Sequence, residues 1–249
     1  YTKYKYDGTV KASFDIADNA DNAEKLITFT GDNVSPMQVF TVNASDLSSV
    51  GFKGLDFAFK DIPSGASVLV NVVDDAGNPY RGTVSYQQGW RFWWNDTEIS
   101  NGYVLSTANN IPTGTVTDSM RAAYSEAAQS IMWNYSKFTS VEIKGSQATG
   151  IKIYKGSSTP AFANASATDD PSSALLGSVL VAQGKGNLTT GNLTTHVTTN
   201  GRVWVGGDFA MLNSSNVKQG SKDIIFGTKK SASIVDMDQE RHNFPWSAS

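Results

Sequence analysis

Apolar and polar residues alternate along this chain in short bursts, and glycine or asparagine interrupts the bursts at nearly regular intervals. The pattern is plainest from Gly177 to Trp246. It opens with Gly-Ser-Val-Leu-Val-Ala (177–182), carries Gly-Asn-Leu-Thr-Thr twice (186–190 and 191–195), runs through Asn-Gly-Arg-Val-Trp-Val-Gly-Gly-Asp-Phe (200–209) and closes on Glu-Arg-His-Asn-Phe-Pro-Trp (240–246). Val, Leu, Thr and Trp favour strands, whereas Gly and Asn turn the chain. Strands this short cannot bury themselves alone and must stack. The expected fold class is therefore mainly β, a β-helix-like or β-solenoid stack of short strands. Periodicity alone is equally served by a pair of hairpins with glycine turns.

The same alternation runs through the earlier chain. Tyr4 and Tyr6 share one strand face, and Val10–Ile16, Lys25–Thr30, Met37–Val42 and Ser67–Val73 are expected strands. Leu55, Phe57 and Phe59 place their side chains on one face. Between 117 and 131 the period changes: Met120, Tyr124, Ala127 and Ile131 recur at helical spacing, with alanines at 122, 123, 127 and 128 and no Gly or Pro from 118 to 133. One α-helix, packed along the stack, is expected there. Ser140–Lys144 and Gly150–Tyr154 return to strand, and 156–174, rich in Ser, Thr, Ala, Pro and Asp, reads as a surface loop.

Composition narrows the function. A net charge of −3 and a pI of about 5.4 do not suit a nucleic-acid backbone. Charged residues make up only 17% of the chain, with Thr, Ser, Asn and Gly taking their place, a surface common in exported bacterial proteins. The chain has no cysteine, which removes disulfides, thiol catalysis and thiolate metal sites. No stretch is apolar enough to insert into a membrane. Asn-X-Ser/Thr triplets from Asn43 to Asn213 follow from the composition.

Catalytic chemistry has little to stand on. The histidines are His196, in a Thr-rich turn, and His242, in the closing block, and neither belongs to a nucleophile or zinc motif. Asp96 and Glu98 are the best placed carboxylates for glycoside hydrolysis, and that pairing is weak. No enzyme activity and no cofactor are expected. Calcium is the one metal with donors at short spacing, at Asp74-Asp75-x-Gly-Asn78 and Asp236-x-Asp238-x-Glu240, neither of which follows an EF-hand loop.

The densest functional signal is aromatic. Tyr86, Trp90, Phe92, Trp93 and Trp94 fall within nine residues, followed by Asn95 and Asp96. Planar rings offer sugars a flat apolar face, and Arg91, Asn95 and Asp96 could bond their hydroxyls. On a strand Trp93 and Trp94 point to opposite faces, so only one of them can join Trp90 and Phe92 on a platform. Core packing of the same rings is the competing reading. Trp204, flanked by Val203 and Val205, has one face toward the core and the other open.

Several blocks in order resemble the bacterial choice-of-anchor A domain family of exported, surface-attached proteins. They are Val39–Ser49, Ile62–Val72, Ile131–Tyr135 leading to Thr139–Gly145, Gly177–Ala182, Asn200–Asp208 and Glu240–Trp246. The resemblance implies a single domain over 1–249, with insertions at about 83–133 and 156–174, at the bacterial cell surface. It brings no catalytic residues. The expected function is a non-catalytic surface module binding a polysaccharide, such as starch or another glucan, or a surface glycan. The alternatives are an adhesin for a host or matrix protein and a structural spacer.

Overall fold

The computed structural model describes residues 10–11, 24–48, 54–73, 82–100, 118–145, 173–191 and 197–212. A short strand, β1 (Val10–Lys11), runs antiparallel to β2 (Glu24–Thr30) and begins the stack. From β2 the chain winds in repeating turns. A corner at 31–36 leads to β3 (Met37–Asn43), and a single helical turn, α1 (Ala44–Leu47), drops Leu47 into the core. β4 (Gly54–Lys60), a corner at 61–66 and β5 (Ser67–Val73) repeat the path. Glu24 lies beside Gly54 and Met37 beside Ser67, so the first turn of the winding takes thirty residues.

The third turn is elaborated. β6 (Gly82–Trp94) folds back on β7 (Thr97–Ser100), and α2 (Asp118–Ser130) passes without a break into β8 (Ile131–Asn134). Then β9 (Phe138–Gly145), β10 (Ser173–Leu176) and β11 (Ser178–Val181) make a fourth turn. The fifth is β12 (Asn187–Thr190), β13 (Val197–Asn200) and β14 (Val203–Val205), and β15 (Phe209–Met211) starts a sixth. In these later turns Ser173 pairs with Val197 and Val179 with Val203, a shorter winding of twenty-four residues.

Strands of successive turns pair in parallel. One sheet of eight strands runs β1-β2-β4-β6-β9-β12-β15 with β7 beside β6, a second of five runs β3-β5-β8-β11-β14, and β10 and β13 form a third face. The fold is a β-solenoid with one substantial helix, and the hairpin alternative is excluded by the parallel registers.

Alternation explains why the stack is stable. Inward positions of neighbouring turns meet in register: Ile27, Phe57 and Phe92 in one row, Phe29, Phe59 and Trp94 in the next, then Val84, Val141 and Leu188. Phe40 and Val70 from the five-stranded sheet face them, with Trp133 in the same row. The rings pack closely, Phe29 on Phe59 at 4.9 Å between centroids and Phe57 on Trp133 at 4.9 Å. The Trp133 indole donates to the Leu176 carbonyl at 2.8 Å, so its one polar atom is satisfied inside the core.

The helix ends earlier than helical spacing predicts. Ile131, placed on its apolar face from sequence, is the first residue of β8 and fully buried in the sheet. Ala127 and Ala128 supply the buried face, with Ala123 and Tyr124 packed at its margin. Within the segment expected as an insertion at about 83–133, β6 is a middle strand of the eight-stranded sheet, between β4 and β9. The loop expected at 156–174 lies almost wholly outside the described residues.

Candidate binding surface

The aromatic run sits on β6, and its register decides what each ring does. Phe92 pairs with Phe57 and Trp94 with Phe59, residues whose side chains already point inward. Phe92 and Trp94 are each 1% exposed and Tyr86 is 4% exposed. These three rings, expected on a ligand platform, are core residues: the hydrophobic gain of joining the ladder exceeds anything a surface position offers them. Tyr86 shares a hydrogen bond of 2.7 Å with the buried Tyr135 hydroxyl. Burial pushes both phenols above their ordinary pKa, and for Tyr135 the neighbouring phenol adds to the rise. The pair is a neutral, mutually satisfied polar contact inside the stack.

Trp93 takes the opposite parity, as expected of adjacent strand residues, and is half-buried on the outer face beside Ala58 and Glu98. The backbones of Trp90 and Arg91 belong to β6, and their side chains lie outside the described residues. Asn95 and Asp96 form the turn of the β6–β7 hairpin, with φ of 45° and 64°. Asn and Asp tolerate this left-handed region better than most residues. The Asn95 amide is committed to the fold: its Nδ2 donates to the Ile62 carbonyl at 2.8 Å, and its Oδ1 accepts from the Ile62 N–H at 2.9 Å. It fastens the hairpin to the preceding corner and is not a free hydroxyl partner. Asp96 is exposed, 3.6 Å from the Lys60 ammonium.

A different surface collects groups suited to recognition. On the five-stranded sheet Phe40, Val70, Trp133 and Val179 face the core, so the alternate positions face out. Register sets Thr41, Asn71, Asn134, Leu180 and Trp204 side by side across all five strands. The first four are half-buried and Trp204 is 39% exposed, so the open face foreseen for this tryptophan is present. Asn134 Nδ2 donates to Asn71 Oδ1 at 2.7 Å, and Asn134 Oδ1 accepts from the Ser136 N–H at 3.0 Å, which locks both amides in orientation. The parallel row Val39, Leu69, Met132 and Ser178 is apolar and more closed, with Met132 8% exposed and Ser178 buried. Neither row contains a charged side chain. The outer face of the eight-stranded sheet differs, carrying Lys60, Glu142 and Lys144, with Glu142 bonded to Ser85 at 2.7 Å and to Lys144 at 3.2 Å.

The asparagines of this row escaped notice in the sequence. Their signal was an amide at the alternate position of an apolar run, Val70-Asn71-Val72 and Trp133-Asn134-Tyr135. Such a residue must point away from the core, and two of them in adjacent turns stack.

Between α2 and the corner at 61–66 lies an open cleft of about 350 Å³, lined by Ser64, Ser125, Gln129 and Glu126 among others. Both Glu126 carboxylate oxygens are engaged there, with the Gly65 N–H at 3.1 Å and the Trp94 indole N–H at 3.2 Å, so this carboxylate clamps the helix to the stack. Among the described residues no three His, Cys, Asp or Glu side chains gather as a metal site. The calcium candidates at 74–78 and 236–240, and both histidines, lie outside the described residues. No helix of the described residues is long and apolar enough to cross a membrane.

Register-stacked outer faces on an aromatic core are the architecture of a β-solenoid binding module. The chain belongs to the ice-binding-like adhesive domain family, whose model matches residues 8–154, more than half of its length. No curated protein shows significant similarity to the chain, and no solved structure does either. The family match overturns the resemblance to choice-of-anchor A domains. Among the described residues, the blocks that carried that resemblance are strands and corners of the parallel solenoid; Glu240–Trp246 lies outside them. In Ile62–Val72, for example, the Pro63 carbonyl accepts from the Ala66 N–H at 3.0 Å, Gly65 takes φ of 75°, and Ser67–Val73 then enters the sheet. Membership in an adhesive family agrees with a surface-associated role.

Proposed function

We propose that this chain is the adhesion module of a surface-displayed protein, holding a host or matrix macromolecule against the outer face of its five-stranded sheet. The observation that carries the reading is the fate of the aromatic run. With Tyr86, Phe92 and Trp94 in the core, three of the rings expected on the β6 platform are withdrawn from the surface, and the five-stranded sheet offers instead a broad face whose Thr41 row carries no charge. Adhesion through an extended surface fits such a face and the family to which the chain belongs. Of the platform rings on β6 whose side chains are described, Trp93 is the one left on the outer face, half-buried.

Retention of the chain on immobilised collagen, mucin and insoluble polysaccharides tests the reading. Leu180→Lys places a charge on the proposed face and should abolish retention, whereas Thr83→Lys, on the outer face of the other sheet, should not. Absence of retention on every surface, or equal loss in both variants, would overturn it.

A further inference from the structure

We propose that the row Thr41, Asn71, Asn134, Leu180 and Trp204 is a subsite for an uncharged, extended polysaccharide chain, an inference that rests on the adhesive reading of the same face. Three features of the row point to this ligand. The first is its polar chemistry. Asn134 spends one amide hydrogen on Asn71 and its carbonyl on the Ser136 N–H, so the two amides stand in fixed orientations with donors remaining on Asn71 Nδ2 and Asn134 Nδ2. The Thr41 hydroxyl adds a group that both donates and accepts. Fixed amides and hydroxyls bond sugar hydroxyls without the entropic cost of ordering long side chains.

The second feature is the ring. Trp204 closes the row as its most exposed member, and Leu180 beside it extends the apolar ground on which a pyranose face can rest. The third is the absence of charge. The Thr41 row is neutral, and so are Val39, Leu69, Met132 and Ser178 beside it, with the exposed Arg202 flanking that second row next to Ser178, whereas Lys60, Glu142 and Lys144 stand on the other sheet. An acidic polymer laid here would lose hydration with no cation within the row to replace it. A neutral chain loses much less.

Geometry sets the ligand's shape. Adjacent strands are about 4.8 Å apart, so the five positions span roughly 19 Å in a straight line. That line suits several consecutive sugars of an extended chain and exceeds what one monosaccharide can use.

Affinity electrophoresis of the full chain through gels containing a dissolved polysaccharide decides the matter. The neutral probes are amylopectin, mixed-linkage β-glucan and galactomannan; the acidic ones are polygalacturonate and hyaluronate. Retardation is expected with at least one neutral polymer and with neither acidic one. Trp204→Ala should weaken that retardation about five- to tenfold, and Thr41→Val, which keeps the side-chain shape, about threefold. Both positions lie outside the core, so the melting temperatures should stay within about 2 °C of the parent. No retardation by any neutral polymer, retardation by the acidic ones alone, or equal retardation of the parent and both variants would overturn the inference. If the chain still adheres to collagen in that event, the adhesive reading survives with a protein partner. If it adheres to nothing, both fall.

Discussion

Trp94 is the residue at which packing and recognition make opposite predictions. Its side chain is 1% exposed, in register with Phe59 at 5.8 Å between rings, and its indole N–H reaches Glu126 at 3.2 Å. Trp94→Ala removes a full indole from a position held by Phe59 of the preceding turn on one side and by β7 of its own hairpin on the other, so the site has little freedom to collapse. A cost of about 3–5 kcal/mol follows. The Glu126 bond adds little, because its carboxylate is partly exposed and water can replace the donor. Against a total stability of about 5–15 kcal/mol, that loss is large. With a urea m-value of about 2–3 kcal/mol/M, the unfolding midpoint followed by far-UV circular dichroism should fall by about 1–2 M. Trp204→Ala, on the outer face, should change stability by no more than about 0.5 kcal/mol. The reasoning is refuted if Trp94→Ala leaves the midpoint within about 0.3 M of the parent while binding to an immobilised polysaccharide is lost.

Four further predictions concern the frame around these faces. Tyr86→Phe strands the Tyr135 hydroxyl in the core and should cost about 1–3 kcal/mol, whereas the Tyr86→Phe/Tyr135→Phe double variant should recover most of that loss in urea titrations. The unfolded chain releases phenol protons near pH 10 while the folded pair holds them, so the pair's contribution to stability should be constant below about pH 10 and fall as the pH rises further, with a shallower fall in the double variant. Asn95→Ala removes both bonds to Ile62 from a residue at φ 45° and should lower the melting temperature by several degrees, an outcome a pure ligand contact would not give. Gly201→Ala would drive a methyl into the Gly177 carbonyl where two turns touch, and Gly177, at φ 105°, is itself packed so closely on Ile131 that a Cβ there would stand 2.6 Å from the Ile131 carbonyl oxygen, so the corner cannot yield; a soluble, folded product in normal yield would contradict this.

The contrast between Trp94 and Trp204 shows what the sequence could and could not convey. Alternation states which residues share a face, and it did so correctly for Leu55, Phe57 and Phe59 and for the opposed pair Trp93 and Trp94. It does not state which face is inside when both carry rings. That choice was made by residues some thirty-five positions away, because Phe57 and Phe59 in the preceding turn set the row that Phe92 and Trp94 complete. The irregularity in β6 reinforces the point. Leu55 pairs with Gln88 and Phe57 with Phe92, so β6 carries two extra residues there, and an even number preserves the inward parity of Tyr86, Gln88, Phe92 and Trp94. One extra residue would have turned Phe92 and Trp94 outward and produced the platform that the sequence suggested. At Trp204 the ambiguity was absent, since Val203 and Val205 could only be the inward pair and left the indole a single place to go. In a stacked fold, then, a surface tryptophan is best sought between two small aliphatic residues on a short strand, and a dense aromatic run is best first assigned to the row its neighbouring turns require.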